Sequence, residues 1–426
     1  MKNLNKVAVI VVCALSLSGL AFSQKVFSIV AVPGSTPNTA IAINNYGQVV
    51  VNTGTSSSYK VTLWNRVSGA ENIGLIGTSS GGMAVSDTNQ VVGAGDADSL
   101  GYLQAFIWQS TTGLRWLGSL GGNYSAANGV NASGTVVGVS NTGTNTQHAF
   151  VWTAAAGMQD LTADLTSVGG ATAIAVNATN QVVGYYYPNG TRTPVGFLWT
   201  QTGGLQNLGS TGTLPFAINN SGTVVGQSAF ASGARHAFSW TEAGGITDLG
   251  TLGGSQSAAL SINKLGWIAG TSLSTGKSGL VHGFLWTPTD GMKDLTVLAG
   301  LGATEQAYSI ELNDSGVVAV STNKGSFLLV PKITGKFTSS QNPSVVGQSV
   351  TLTATLTSVA GAPPDGDTVT FSVGSKVLGS AVLNGGVAEF TTAALVAGKN
   401  SIVVNFNGDA NYTPTKFTAL AQVVNP

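Results

Sequence analysis

Charge is scarce in this sequence, and thiols are scarcer. Asp, Glu, Lys and Arg together make up 8% of the 426 residues, and the two signs balance at 17 each. With no basic field to displace counterions from a phosphate backbone, a nucleic-acid partner is not expected. Cys13 is the single cysteine and lies in a short N-terminal apolar stretch. The rest of the chain therefore has no disulfide, no thiolate metal site and no cysteine nucleophile. Histidine numbers three. No GxSxG elbow, HExxH pair or phosphate-cradling glycine loop occurs, so none of those chemistries has its signature. No cofactor and no metal are expected.

One long hydrophobic run exists, at the start: MKNLNKVAVIVVCALSLSGLAFSQ. Lys2 and Lys6 precede an apolar Val7–Leu20 segment, and Ala21-Phe22-Ser23 is a small-residue cleavage pattern, so residues 1–23 read as a signal peptide. No second span follows, and the expectation is an exported chain without a membrane span after cleavage. It would be extracellular, periplasmic or cell-surface associated, and a monomer. Removing Lys2 and Lys6 from the 17 basic residues leaves 15 against 17 acidic ones. Polarity comes instead from Ser, Thr, Asn and Gln. With 58 glycines and 43% hydrophobic residues, that balance describes an all-β protein rich in turns.

The sequence repeats itself. One phrase appears as AINNYGQVVV, AVSDTNQVVG, GVNASGTVVG, AVNATNQVVG, AINNSGTVVG, SINKLGWIAG and ELNDSGVVAV. Its sixth position is Gly47, Asn89, Gly134, Asn180, Gly222, Gly266 and Gly316, spaced by 42 to 50 residues. Glycine and asparagine are the residues that best tolerate positive φ, so each phrase predicts a tight hairpin. The paired apolar residues that follow predict a strand covered on both faces. A second phrase alternates with the first, most fully as HAFVWTAAAGMQDL from His148 and HAFSWTEAGGITDL from His236. Phe and Trp two apart project from one strand face. Four short strands over about 44 residues are the period of a propeller blade, and seven such units predict a seven-bladed β-propeller. The seventh unit ends at SFLLVP without a fourth strand, whereas KVFSIVAVPG near the N-terminus is a strand without partners. The two are expected to share one blade and close the ring.

These units resemble the HAF repeat of bacterial extracellular proteins over roughly residues 25 to 330. The resemblance implies export and carries no activity with it. Thr62 and Leu329 depart from it, standing in place of the Phe and the Trp. Beyond VPKITGK the texture changes to SVTLTATLT, DTVTFSV, VAEFTTA and SIVVNFNG, which alternate as half-buried antiparallel strands do. About seven such strands suit an Ig-like β-sandwich without a disulfide. They resemble the bacterial Ig-like repeats of surface proteins, which implies a spacer or adhesive module. The expected organisation is a signal peptide over 1–23, a propeller over 24–331 and an Ig-like domain over 332–426.

His148, His236 and His282 share one repeat position, so they fall in different blades and are expected to be structural. Asp160, Asp248 and Asp294 share another and are expected to satisfy turn amides. Acids outside the pattern are Asp96, Asp98, Asp164, Glu305 and Glu311. Trp116 and Trp267 lie off the repeated Trp position and are candidate binding aromatics. Two functions fit. One is a non-catalytic interaction or adhesion protein, its propeller a binding disc for a neutral glycan or surface protein and its Ig-like module a spacer. The other is a propeller-fold polysaccharide hydrolase or lyase with carboxylates in the central mouth.

Overall fold

A computed structural model describes residues 25–426, apart from positions 36, 38–40, 56–57, 76–80, 97–100, 166–167, 210, 231–232 and 276–278. The expected signal peptide and Asp98 lie outside the described residues. The chain forms two compact units, one of residues 25–332 with 405–416, the other of 333–404 with 417–426.

The first unit contains seven four-stranded antiparallel sheets. Six are consecutive meanders within residues 41–75, 81–118, 121–160, 168–207, 214–248 and 253–294. The seventh joins three strands of 307–331 to Phe27–Ala31, which pairs antiparallel with Gly325–Pro331 from Phe27↔Pro331 to Ala31↔Phe327. The strand shared between the two ends of the unit is therefore present. All seven expected turn residues adopt positive φ, from 62° at Asn89 and Asn180 to 81° at Gly222. Each turn is closed by a hydrogen bond such as Gly222 N to the Asn219 carbonyl, 3.1 Å.

The sheets pack face to face through the two repeated phrases. Val50, Val61 and Leu63 of the first sheet meet Val91, Phe106 and Trp108 of the second. Val92, Ala105, Ile107 and Leu117 of the second meet Val136, Phe150 and Trp152 of the third. One Val of each pair thus faces the preceding sheet and the other the following one, and both are sealed from solvent. Every buried Phe of this series contributes roughly 1.5–3 kcal/mol.

The glycine after each Val pair has its own steric cause. Gly138 pairs with Phe150 across the strands. A Cβ there would stand 2.0 Å from the Ala126 carbonyl oxygen and 2.9 Å from the Phe150 ring. In the first sheet the Phe is replaced by Thr62, and its cross-strand partner is Val51 instead of glycine. In the seventh sheet Phe327 is kept opposite Val320, and there the Phe is half-buried instead of sealed, because ring and side chain compete for one space.

The second unit carries a sandwich of two sheets. Three strands, Thr334–Ser339, Val350–Thr357 and Val387–Thr392, form one; Ser344–Val345, Thr415–Asn425, Gly398–Phe406, Thr368–Val373 and Lys376–Val382 form the other. Val350, Leu352, Ala354 and Leu356 are buried while their neighbours are not, as alternation requires. In the Gly408–Tyr412 turn, the Asp409 carboxylate accepts from the Asn411 and Tyr412 amides, and Tyr412 is buried.

Closure by the shared strand has a direct consequence. Deleting residues 25–33 strips Gly325–Pro331 of a partner along its whole length and exposes a sheet edge. Thermal unfolding of the deleted protein should begin well below that of the parent; an unchanged melting temperature would contradict the closure.

Candidate functional site

The repeated turns place their side chains around the axis of the first unit. Six of the seven phrases carry asparagine at the third position: Asn44, Asn131, Asn177, Asn219, Asn263 and Asn313; the exception is Ser86. All seven side chains are buried. Within its own hairpin each oxygen accepts from the backbone amides two and four residues on, as Asn177 Oδ1 does from Thr179 at 3.1 Å and Gln181 at 2.9 Å. Each asparagine Nδ2 donates to the main-chain carbonyl of the matching residue in the next sheet. The distances are 2.9 Å from Asn44 to Ser86, 2.9 Å from Asn131 to Asn177 and 3.0 Å from Asn177 to Asn219. They continue at 3.2 Å from Asn219 to Asn263, 3.1 Å from Asn263 to Asn313 and 3.1 Å from Asn313 back to Asn44. Ser86 is too short for this reach, and Thr88 Oγ1 makes the crossing instead, to the Ala132 carbonyl at 3.1 Å. The ring of sheets is closed by hydrogen bonds at every step.

This ring borders a cavity of about 460 Å³ lined by the first strand of every sheet. Those strands are bulged. Met83, Asn128, Ile174, Phe216 and Leu260 are each the extra residue, interrupting the register between their neighbours. An extra residue re-aims the strand locally, and all five line the cavity. Met83 keeps 49% of its surface exposed although it stands on an innermost strand. The walls are apolar and polar in about equal measure, and at the first position of the phrase they carry small residues.

Glu311 is the exception. It occupies the first position of its phrase, where the other six have Ala42, Ala84, Gly129, Ala175, Ala217 and Ser261. Enclosure by protein pushes its carboxyl up to about 7, opposed by a 3.3 Å hydrogen bond from Ser261 Oγ. The side chain nevertheless keeps part of its surface open to the cavity. Asp87 and Asp314 also line the cavity. Asp87 accepts from Asn45 N and Nδ2, both at 2.9 Å, and Asp314 from the Lys264 amide at 2.8 Å. Both lie inside the repeated phrase, and sequence reasoning passed over them for that reason.

The other acids do not gather here. Glu305 is buried in a loop of the seventh repeat, accepting from Thr322 Oγ1 at 3.0 Å and the Gly302 amide at 3.3 Å, with Lys324 Nζ at 3.7 Å. Asp164 is exposed, and Asp96 ends the second strand of its sheet. Each repeat histidine is paired with the repeat aspartate of its own sheet: His148 to Asp160 at 2.7 Å, His236 to Asp248 at 2.9 Å, His282 to Asp294 at 2.8 Å. The second carboxylate oxygen accepts the amide of Thr162, Gly250 or Thr296. These pairs tie the third strand to the exit of the fourth. Among the described residues no group of three or more His, Cys, Asp or Glu is placed to hold a metal ion.

The two candidate tryptophans stand apart in different sheets. Trp116 pairs with Phe106 as Asp160 does with Phe150, taking the aspartate position of a repeat whose histidine is Gln104. Its ring meets Phe106 edge-on, centroids 6.3 Å apart. Trp267 follows the Gly266 turn, its amide bonded to Asn263 Oδ1 at 3.0 Å, and it is half-buried.

Comparison with known proteins bears on each part separately. A family model described as bacterial Ig-like domain (group 3) matches residues 337–425. This segment is a bacterial Ig-like domain. No curated protein matches the chain. Among solved structures, a streptogramin B lyase is 14% identical with a TM-score of 0.48, covering 72% of this chain and 99% of its own. The extracellular domain of the hybrid two-component system BT4673 from B. thetaiotaomicron is 8% identical with a TM-score of 0.47, covering 94% and 59%. The gluconolactonase XC5397 from Xanthomonas campestris is 8% identical with a TM-score of 0.40, covering 71% and 89%. The seven four-stranded sheets and the Ig-like sandwich make the described residues all-β. No helix among the described residues is long and apolar enough to cross a membrane.

The environment of Glu311 predicts a pH signature. Its folded-state value, about 7, lies above the unfolded 4.5, so the fold favours the protonated form. The associated stability is complete below pH 4.5 and is lost as pH rises through 7. The whole span is worth about 3 kcal/mol at most. Glu311→Gln should therefore be more stable than the parent at pH 8, with the difference shrinking by pH 4.5 in chemical denaturation. A pH-independent difference would contradict the assignment.

Proposed function

We propose that this protein is an exported, non-catalytic interaction protein in the manner of HAF-repeat proteins, its propeller a binding disc and its Ig-like domain a spacer. One observation carries the reading: the polar side chains of the repeat are spent on holding the ring together. The asparagines, the His–Asp pairs and Asp87 are each bonded to neighbouring protein groups. Among the described acids that depart from the repeat pattern, only Glu311 lines the axial cavity. A surface of hydroxyls, amides and glycine exerts little long-range steering and suits neutral partners such as a glycan or a surface protein. Trp116 and Trp267 are the aromatic faces we assign to that contact.

A second reading has its own support. A carboxyl raised to about 7 in a cavity that also holds Asp87 and Asp314 has the attributes of a general acid. That reading makes the protein a polysaccharide hydrolase or lyase. Incubating the purified protein with a panel of neutral polysaccharides, with product analysis, separates the two. Retention of the protein on one polymer without new reducing ends, weakened by Trp267→Ala or Trp116→Ala, is the expected result. Release of defined oligosaccharides, abolished by Glu311→Gln, would overturn it in favour of the enzyme.

A further inference from the structure

The axial cavity is itself built like a small-molecule site, and its composition indicates what it holds. Its volume of about 460 Å³ falls in the range of ligand pockets, and its walls set apolar side chains beside a comparable area of polar groups. The walls are not a by-product of the repeat. The five bulged residues differ in every sheet, being Met, Asn, Ile, Phe and Leu, whereas the positions that bury the fold are nearly constant. At the first position of the phrase six sheets place a residue with little or no side chain, and one places Glu311. At that position a sevenfold frame thus carries a single, off-centre carboxyl.

That carboxyl is poorly satisfied from within. Its one side-chain donor is Ser261 Oγ, at 3.3 Å, and Ser261 also accepts the Leu312 amide at 3.0 Å. Several acceptor positions of the carboxylate remain for a ligand. The charged residues that line the cavity with it are Asp87, Asp314 and Lys264, two acids and one base. The field favours a cation. Phe216 and Met83, an aromatic ring and a polarisable thioether, complete a wall that suits an apolar or aryl body next to a positive group.

We propose that the axial cavity binds a small apolar molecule bearing one protonated amine, with the ammonium group on Glu311 and the hydrocarbon body against Met83, Phe216, Ile174 and Leu260. This site is distinct from the glycan or protein contact proposed above, and goes beyond it. Binding a cation stabilises ionised Glu311, so near pH 7 association releases part of a proton from the carboxyl to the buffer.

The test uses the mature chain and two probes of similar shape, 2-phenylethylamine and 2-phenylethanol. Calorimetric titration at pH 7 in buffers of different ionisation enthalpy should give saturable one-to-one binding of the amine, at least ten-fold tighter than the alcohol, with net proton release. Glu311→Gln, which keeps size and can still hydrogen-bond to Ser261, should remove both the preference and the proton release. With methyl-labelled methionine, the amine should move the Met83 signal and leave Met158 and Met292 in place. No saturable binding of the amine at millimolar concentration, equal affinity for the two probes, or binding that leaves Met83 unmoved would each overturn the proposal. A failed amine titration leaves retention on polysaccharide untouched, so the two readings fall separately.

Discussion

A buried amide hydrogen bond, repeated around an axis, is the constraint on which the first unit depends. A ring of sheets must hold each first strand at a fixed distance from the next, in a region where neighbouring strands are not paired through their backbones. Asparagine meets both needs with one side chain. Its oxygen fixes the local hairpin by accepting two amides, and its nitrogen crosses to the next sheet. Because each carbonyl that receives the bond belongs to the next residue in the series, the chain of bonds returns from Asn313 to Asn44. Losing one member removes one of the two donors to a buried carbonyl, which keeps its turn amide, at a cost of roughly 0.5–1.5 kcal/mol.

Farther from the axis the sheets are held by volume. A Phe of one strand lies over a glycine of its neighbour, and the Phe–Trp face packs on the second Val of the preceding sheet's pair. Five sheets share this pairing; the first has Thr62 opposite Val51, and the seventh has Phe327 opposite Val320. At the seventh, Leu328, Val330 and Val32 pack with Ile41, Val49 and Trp64 of the first, so that closure has an apolar side as well as a hydrogen-bonded one. The His–Asp pairs belong to the same logic at the third and fourth strands. Bonds within the frame leave the bulged residues of the axial wall, and Glu311 beside them, as the parts able to vary without loss of the ring.

Much of the frame was legible in the sequence. The positive-φ turns showed as a position restricted to glycine and asparagine, and the buried strands as apolar pairs. The missing strand of the seventh unit and the orphan strand near the N-terminus pointed to each other. The site was less legible, and the reasons are physical. The asparagine at the third position of the phrase was in view in six repeats, but a turn asparagine has an ordinary local use, and only the spatial order of the sheets reveals its second bond. Asp87 and Asp314 were hidden inside the repeat. Glu305 lies in the loop before the innermost strand and Glu311 within that strand, so two acids six positions apart meet entirely different surroundings. Trp116 looked unaccounted for because its slot is held elsewhere by an aspartate, not by another aromatic.

Unfolding free energies of Asn263→Ser and Ser86→Asn test the closed ring most directly. Asn263→Ser keeps a hydroxyl for the Leu265 and Trp267 amides, as Ser86 does for its own hairpin, but withdraws the donor to the Asn313 carbonyl, and Leu265 has no hydroxyl to make the crossing as Thr88 does. The account predicts a loss of about 0.5–1.5 kcal/mol for Asn263→Ser and no loss for Ser86→Asn, which restores the residue found in the other six sheets. Equal stability of Asn263→Ser and the parent protein would contradict it.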